Sequence, residues 1–239
     1  MLETALATVL RLTDRPALTV AGRTDAGVHA LGQVAHVDLP AGVPPSLLAR
    51  RLAGILPADV RVGSVALASA GFDARFSALS RCYRYRVADP ATPPNPLRRW
   101  DTLAYRRALD LARLRAASPA VLGEHDFAAY CRRREGGTTV RRLLRLAWER
   151  DLEDVLVATV EADAFCHSMV RSLVGALLAV GEGRREVEWP AQVLAACVRD
   201  SAVTVAPAHG LTLLGVTYPP DDRLGTQAMQ SRRRRSAGC

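Results

Sequence analysis

Ala21-Gly-Arg-Thr-Asp-Ala-Gly-Val-His-Ala30 is the stretch around which the rest of the chain is arranged. A short apolar, β-branched run, Ala17-Leu-Thr-Val20, leads into it and reads as a strand, and an alternating run from Gln33 to Leu39 leaves it as a second. In that second run Ala35, Val37 and Leu39 share one face, and Val34, His36 and Asp38 the other. A simple turn between two strands does not require Arg23, Thr24, Asp25 and His29 packed around two glycines. Gly22 and Gly27 allow positive φ or the close approach of another chain segment. Asp25 is then displayed at the tip of a tight loop on a rigid sheet, where functional groups are commonly placed. An Asx-turn in which Asp25 caps its own loop explains the same spacing. On spacing alone the two readings stand level.

Composition narrows the chemistry. At 239 residues, with 49% hydrophobic and 23% charged, the chain can bury a substantial core as one large domain or two small ones. No apolar run reaches membrane-spanning length, and no basic segment followed by an apolar one opens the chain, so a cytoplasmic protein is expected. The formal charge is +8, from 32 basic and 24 acidic residues, and four of the positives are Arg232 to Arg235. A modest positive field suits a polyanion such as nucleic acid, although a merely basic surface gives the same count. Every basic residue is arginine. Without lysine there is no Schiff base, no pyridoxal-phosphate linkage and no P-loop. The cysteines, Cys82, Cys131, Cys166, Cys197 and Cys239, are odd in number and widely spaced, which indicates neither a disulfide framework nor a zinc ribbon. The histidines are equally scattered, so no metal is expected.

Helices are predicted over Leu2–Leu12, Ser46–Leu56 with Ser46 as N-cap, Leu103–Ala117, His167–Val180 with Gly181 as C-cap, and Pro190–Arg199. Strands are predicted over Val60–Ala68, Arg81–Val87, Thr138–Arg150, Val155–Asp163 and Leu211–Tyr218, the third and fourth as a hairpin. Asp89 to Pro96 holds four prolines in eight residues and reads as a hinge. The chain is thus expected to divide into an N-terminal half, 1–96, a C-terminal half, 97–220, and a disordered Arg-rich tail, 221–239. Helices alternating with paired strands argue an α+β fold, two similar halves sharing a mixed, mostly antiparallel sheet with flanking helices.

Other polar clusters carry less. His29 suits a loop-fixing role, and His36 is a poor general base. His125-Asp126 are adjacent, which rarely makes a dyad. Arg132-Arg133-Arg134, ahead of Gly136-Gly137, fits phosphate contact better than a solvated run.

Gly22-Arg-Thr-Asp-Ala-Gly-Val-His-Ala30 resembles the catalytic-aspartate motif of the tRNA pseudouridine synthase A family. Phe165-Cys-His-Ser-Met-Val-Arg171 resembles that family's Phe-x-His-x-Met-Val-Arg segment, and Ala74-Arg-Phe-Ser-Ala78 with Arg81-Cys-Tyr-Arg-Tyr85 resembles its second motif. The resemblance implies the pseudouridine synthase fold and a cofactor-free isomerase converting uridine to pseudouridine in the anticodon stem and loop of tRNA, at positions 38–40. It implies Asp25 as nucleophile and Arg171 as its charge partner, with Arg23 as the base-flipping contact. Tyr83 would stack on the target uracil, and Leu211, after Gly210, would close over the base. Arg132 and Arg133 would grip phosphate, and tRNA would lie across a homodimer. Tyr85 is left as core, and Cys82 stands where a basic residue would be common. The family also places a strand with a Gly-Trp-Gln segment ahead of the first helix. The given sequence shows no such segment before Leu2–Leu12: either the start codon lies upstream, or the sheet position is unfilled and is expected to leave backbone groups unpaired. Two further classes compete: a catalytically silent RNA-binding paralogue, and a carboxylate-dependent hydrolase. The hydrolase would need a second nearby acid, and neither Glu124 nor Glu161 lies in a comparable loop.

Overall fold

The computed structural model describes residues 1–132 and 138–232. Its helices are α1 (Leu2–Leu10), α2 (Pro45–Ile55), α3 (Leu111–Ala117), α4 (Met169–Gly181), α5 (Trp189–Ala195) and α6 (Leu224–Arg232). Its strands are β1 (Leu18–Val20), β2 (His29–Ala30), β3 (Ala35–Val37), β4 (Ser80–Ala88), β5 (Leu103–Ala104), β6 (Gly123–Asp126), β7 (Val140–Arg150), β8 (Leu156–Ala162) and β9 (Leu211–Thr217). The fold is α+β. The chain packs as two units, one of residues 1–22, 34–78 and 218–232, the other of residues 23–33 and 79–217.

The smaller unit pairs β1 with β3, antiparallel, with Leu18 opposite Val37. Leu6 of α1 and Leu48 and Leu52 of α2 form its buried cluster. Val60, Val62 and Val65 pack against that cluster but join no strand, so the strand expected over Val60–Ala68 does not form. Their β-branched side chains serve burial here, without a partner edge to ladder with. Helix α2 opens on Pro45, whose missing N–H costs nothing in a first turn, and Ser46 is inside the helix instead of capping it. The tail expected to be disordered from Asp221 is helical through Arg232. Leu224 and Ala228 are buried, Ser77 Oγ donates to the Leu224 carbonyl at 3.0 Å, and Arg232 pairs with Asp73 at 2.8 Å.

The larger unit is a seven-stranded mixed sheet in the order β2-β9-β4-β8-β7-β6, with β5 added to β4. The β2–β9 and β4–β5 pairs are parallel and the rest antiparallel. Strand β4 lies in the middle, between β8 and β9, so the packing does not divide at Asp89–Pro96. The β7–β8 hairpin is closed by Asp151, whose Oδ1 accepts from the Glu153 and Val155 amides at 3.0 Å. Arg86, buried on β4, bridges Asp151 and Glu153 and ties that turn to the sheet.

The helix expected over Leu103–Ala117 is split. Leu103 and Ala104 pair with Val87 and Ala88, and the helix begins only after Asp110, whose carboxylate accepts from the Ala112 amide at 2.7 Å. Helix α4 is buried at every position except Arg171. One flank meets the backbone of Thr204 and Ala206 so closely that a Cβ on Gly175 would lie 1.7 Å from the Thr204 carbonyl oxygen. A backbone atom cannot swing aside as a side-chain end can. Gly175→Ala is therefore expected to destabilise the folded protein by at least about 1–3 kcal/mol, read as a lower midpoint in chemical denaturation.

Candidate active site

The loop carrying Asp25 is fixed by the large sheet. His29 and Ala30 run parallel to Thr212 and Leu213 of β9, and the Leu31 amide donates to the Leu213 carbonyl at 2.8 Å. Gly32 follows where a Cβ would sit 2.3 Å from the Leu214 carbonyl oxygen, so the chain can lie flat on β9 only with glycine there. Gly27, at φ +81°, reverses the loop, and the Val28 amide closes the turn on the Asp25 carbonyl at 3.0 Å.

The carboxylate of Asp25 is not used as an Asx-turn would use it. Arg171 Nη1 donates to Oδ2 at 2.9 Å, and His167 Nε2 lies 3.1 Å from Oδ1. All three side chains are mostly buried. Arg171 is itself held: its Nε donates to the Ala206 carbonyl at 2.7 Å, and the Ala206 amide returns a bond to the Arg171 carbonyl at 3.0 Å. His167 lies just before α4, and Ser168, at φ 65°, turns the chain into the helix. His167 and the first-turn Arg171 thereby meet the same carboxylate. The Nδ1 of His167 is buried with no hydrogen-bond partner among the described residues, and Nε2 is the nitrogen that faces the carboxylate.

The turn holding His167 is braced from outside. The Arg132 amide donates to the His167 carbonyl at 3.0 Å, and Cys131 and Cys166 are joined as a disulfide with Cα atoms 5.8 Å apart, within the ordinary range. The bridge is a pairing that the number and spacing of the cysteines did not indicate. A separation of 35 residues conceals a contact that only the sheet creates.

Tyr83 comes from β4 to the same locality. Its ring meets Phe165 edge-on, with centroids 5.2 Å apart, and only 7% of the residue is exposed. Burial, opposed by the Arg81 charge and aided least by that of Asp25, pushes its phenol up to about 12. Tyr85 is wholly buried and donates to the Pro207 carbonyl at 2.8 Å, a core residue as expected.

The sequence-derived residues thus divide. Asp25, Arg171 and Tyr83 are brought together. Leu211 opens β9 as part of the buried core. Arg23 and Arg132 are exposed and contribute no side chain to the cluster. Arg133 lies outside the described residues. His36 accepts from the Ala74 amide at 2.9 Å, and His125 and Asp126 each bond to nearby backbone instead of to each other. His167 is the residue that the motif contained and sequence reading passed over. Its only signal was its place four residues before Arg171. Among the described residues no group of three His, Cys, Asp or Glu could hold a metal ion, and no helix is long and apolar enough to cross a membrane.

A carboxylate fixed by an arginine and a histidine beside a buried tyrosine, on a mixed sheet, is the setting in which comparison with known proteins becomes informative. Residues 117–219 match the family model for tRNA pseudouridine synthase, which defines the class. Proteins named tRNA pseudouridine synthase A are similar over almost the whole chain. The one from Frankia casuarinae is 64% identical over 96% of this chain and 84% of its own length. Those from Streptomyces griseus and Mycobacterium leprae are 56% and 49% identical, covering 100% and 99% of this chain and 86% of their own lengths. The chain belongs to the tRNA pseudouridine synthase A family.

The tyrosine environment makes a checkable statement. Below pH 10 the Tyr83 phenol is protonated in folded and unfolded chains alike. Above it the unfolded chain ionises first, while the folded site holds its proton to about 12, so stability falls as pH rises through that window. Tyr83→Phe is expected to remove about 2–3 kcal/mol of that loss between pH 10 and 12, seen when denaturation midpoints of wild type and variant are compared.

Proposed function

We propose that this protein isomerises uridine to pseudouridine in tRNA, with Asp25 as the nucleophile. The observation that carries the reading is the carboxylate of Asp25, presented on a sheet-anchored loop and held through both oxygens by Arg171 and His167 in a member of this family. The reaction breaks the bond between ribose C1′ and uracil N1, rotates the base, and joins C1′ to C5. The hydrogen on C5 leaves as a proton, and N1 gains one. Nothing is oxidised or reduced, so the chemistry needs no electron carrier. A carboxylate aimed at C1′ can take the carbon while the base turns. Arg171 offsets the charge of that carboxylate in a mostly buried position, and arginine keeps its own charge in doing so.

Tyr83 supplies an aromatic plane at the site, and its phenol remains a neutral donor at working pH. Arg23, exposed two residues before Asp25, is placed to grip the flipped nucleotide or fill the gap it leaves. Arg132 and Arg133 extend the proposal to backbone phosphate. The anticodon stem and loop as target, a homodimer spanning the tRNA and work in the cytoplasm follow the resemblance of the motifs, and Leu211 enters as a packing residue behind the base.

Tritium release from tRNA labelled at uracil C5 tests the reading. Wild-type protein is expected to release label, Asp25→Asn to release none while still binding tRNA, and Arg171→Gln to be slowed about 100-fold through a misdirected carboxylate. A folded wild-type protein that binds tRNA and releases no label overturns the proposal.

A further inference from the structure

Three tryptophans are present in the chain, and two behave as core: Trp148 is 3% exposed and Trp189 is 9% exposed. Trp100 is 65% exposed. An indole left in water forgoes a large burial gain, so an exposed one on an ordered turn asks for an occupant. The turn is ordered. Asn95 caps it through the Leu97 amide at 2.9 Å, the Asp101 amide donates to the Arg98 carbonyl at 3.1 Å, and Leu103 follows directly in β5 on the sheet.

The neighbours of Trp100 are cationic. The Arg99 guanidinium lies over the indole, 4.8 Å from the ring centroid, and has no carboxylate partner among the described residues. Arg98 is paired with Asp101 at 2.9 Å. The carbonyl of Trp100 is hydrogen-bonded to His29 Nε2, and His29 lies four residues after Asp25 in the same loop. Four residues of chain reach at most about 14 Å. The exposed ring is therefore tied to the loop that presents the carboxylate.

We propose that Trp100, backed by Arg99, is a stacking platform for an unpaired base of the RNA beside the target uridine. This rests on the reading of the substrate as tRNA. An aromatic plane receives any base because every base has a π-face, and the Arg99 guanidinium beside it, which gives one N–H to the Pro96 carbonyl at 3.1 Å and meets no carboxylate among the described residues, answers the phosphate that accompanies the base. A helical stem hides its bases, so the occupant is a splayed base of a loop. Rigidity adds to the argument: a ring already fixed by its turn loses little conformational freedom on stacking.

Because the other two tryptophans are buried, acrylamide-accessible tryptophan fluorescence reports on Trp100. Addition of an unmodified tRNA transcript is expected to shield that fluorescence from acrylamide, and Trp100→Phe is expected to abolish the accessible fraction. Trp100→Ala is expected to weaken tRNA binding about 5- to 100-fold, with most of the kinetic loss in KM, and Trp100→Phe to keep most of the affinity. Both variants should melt with the wild type, as surface substitutions do. The inference is overturned if tRNA binds without shielding, if Trp100→Ala binds as tightly as wild type, or if the alanine variant instead breaks self-association in sedimentation. Tritium release by the same wild-type protein separates the two readings. Release without shielding removes the platform and leaves the isomerase, whereas shielding without release removes the isomerase and leaves an RNA contact. No tRNA binding at all overturns both.

Discussion

Helix α4 is apolar on every side and carries one charge, and the larger unit is arranged to accommodate that charge. Twelve of its thirteen residues are buried, and Arg171 is the exception. A guanidinium at the edge of a core must be compensated on each face that has lost water. The Ala206 carbonyl takes Nε and Asp25 takes Nη1. Both acceptors depend on close backbone approaches that side chains would forbid, at Gly175 against Thr204 and at Gly32 against Leu214. The geometry of the carboxylate is thus fixed by packing well outside it. The same contacts that compensate Arg171 aim Asp25.

Legibility in the sequence followed how local the cause was. The β1 and β3 strands, the β7–β8 hairpin, α4 and β9 follow from periodicity that neighbouring residues already display. Asp25, Arg171 and Tyr83 were legible because the motifs containing them are long. The strand expected over Val60–Ala68 failed because β propensity registers a fit to a half-buried surface, which a helix pair supplies as well as a sheet. Leu103–Ala117 reads as helix by composition, yet its first two residues complete a ladder on β4. The Leu109 amide then donates to Asp89, 20 residues earlier, at 3.1 Å. Helix α6 shows only Leu224 and Ala228, four apart, as its buried signal amid polar residues. The Cys131–Cys166 bridge and the role of His167 are tertiary in origin. The bridge has no local signal, and the only local signal of His167 is its place four residues before Arg171.

The absence of lysine bears on the interior as well as on partners. Arg86 is buried between Asp151 and Glu153, and Arg150 meets both oxygens of the buried Asp89 at 3.1–3.3 Å. A planar fork can serve two acceptors at once and stays charged when dehydrated, where a lysine ammonium offers a point charge that burial tends to neutralise. Arginine therefore has two uses in this chain, separated by exposure. Arg81, Arg86 and Arg171 bind internal acceptors and contribute little to the outer field. Arg23, Arg99 and Arg132 are exposed, two of them beside or tied to the Asp25 loop and the third next to the brace on His167.

A formal charge of +8 consequently misstates the surface that a polyanion would meet, because counting cannot tell a neutralised guanidinium from a free one. What matters for a polyanion is where the exposed arginines sit. Arg23 is exposed two residues before Asp25, and Arg132 is exposed beside the turn that holds His167, whereas the charge of Arg171 is already matched by Asp25. The site needs both arrangements. On the proposed reading of Asp25 as nucleophile, a carboxylate exposed to a negative backbone would repel its own substrate, and burying it against a permanent cation removes that repulsion without quenching its chemistry.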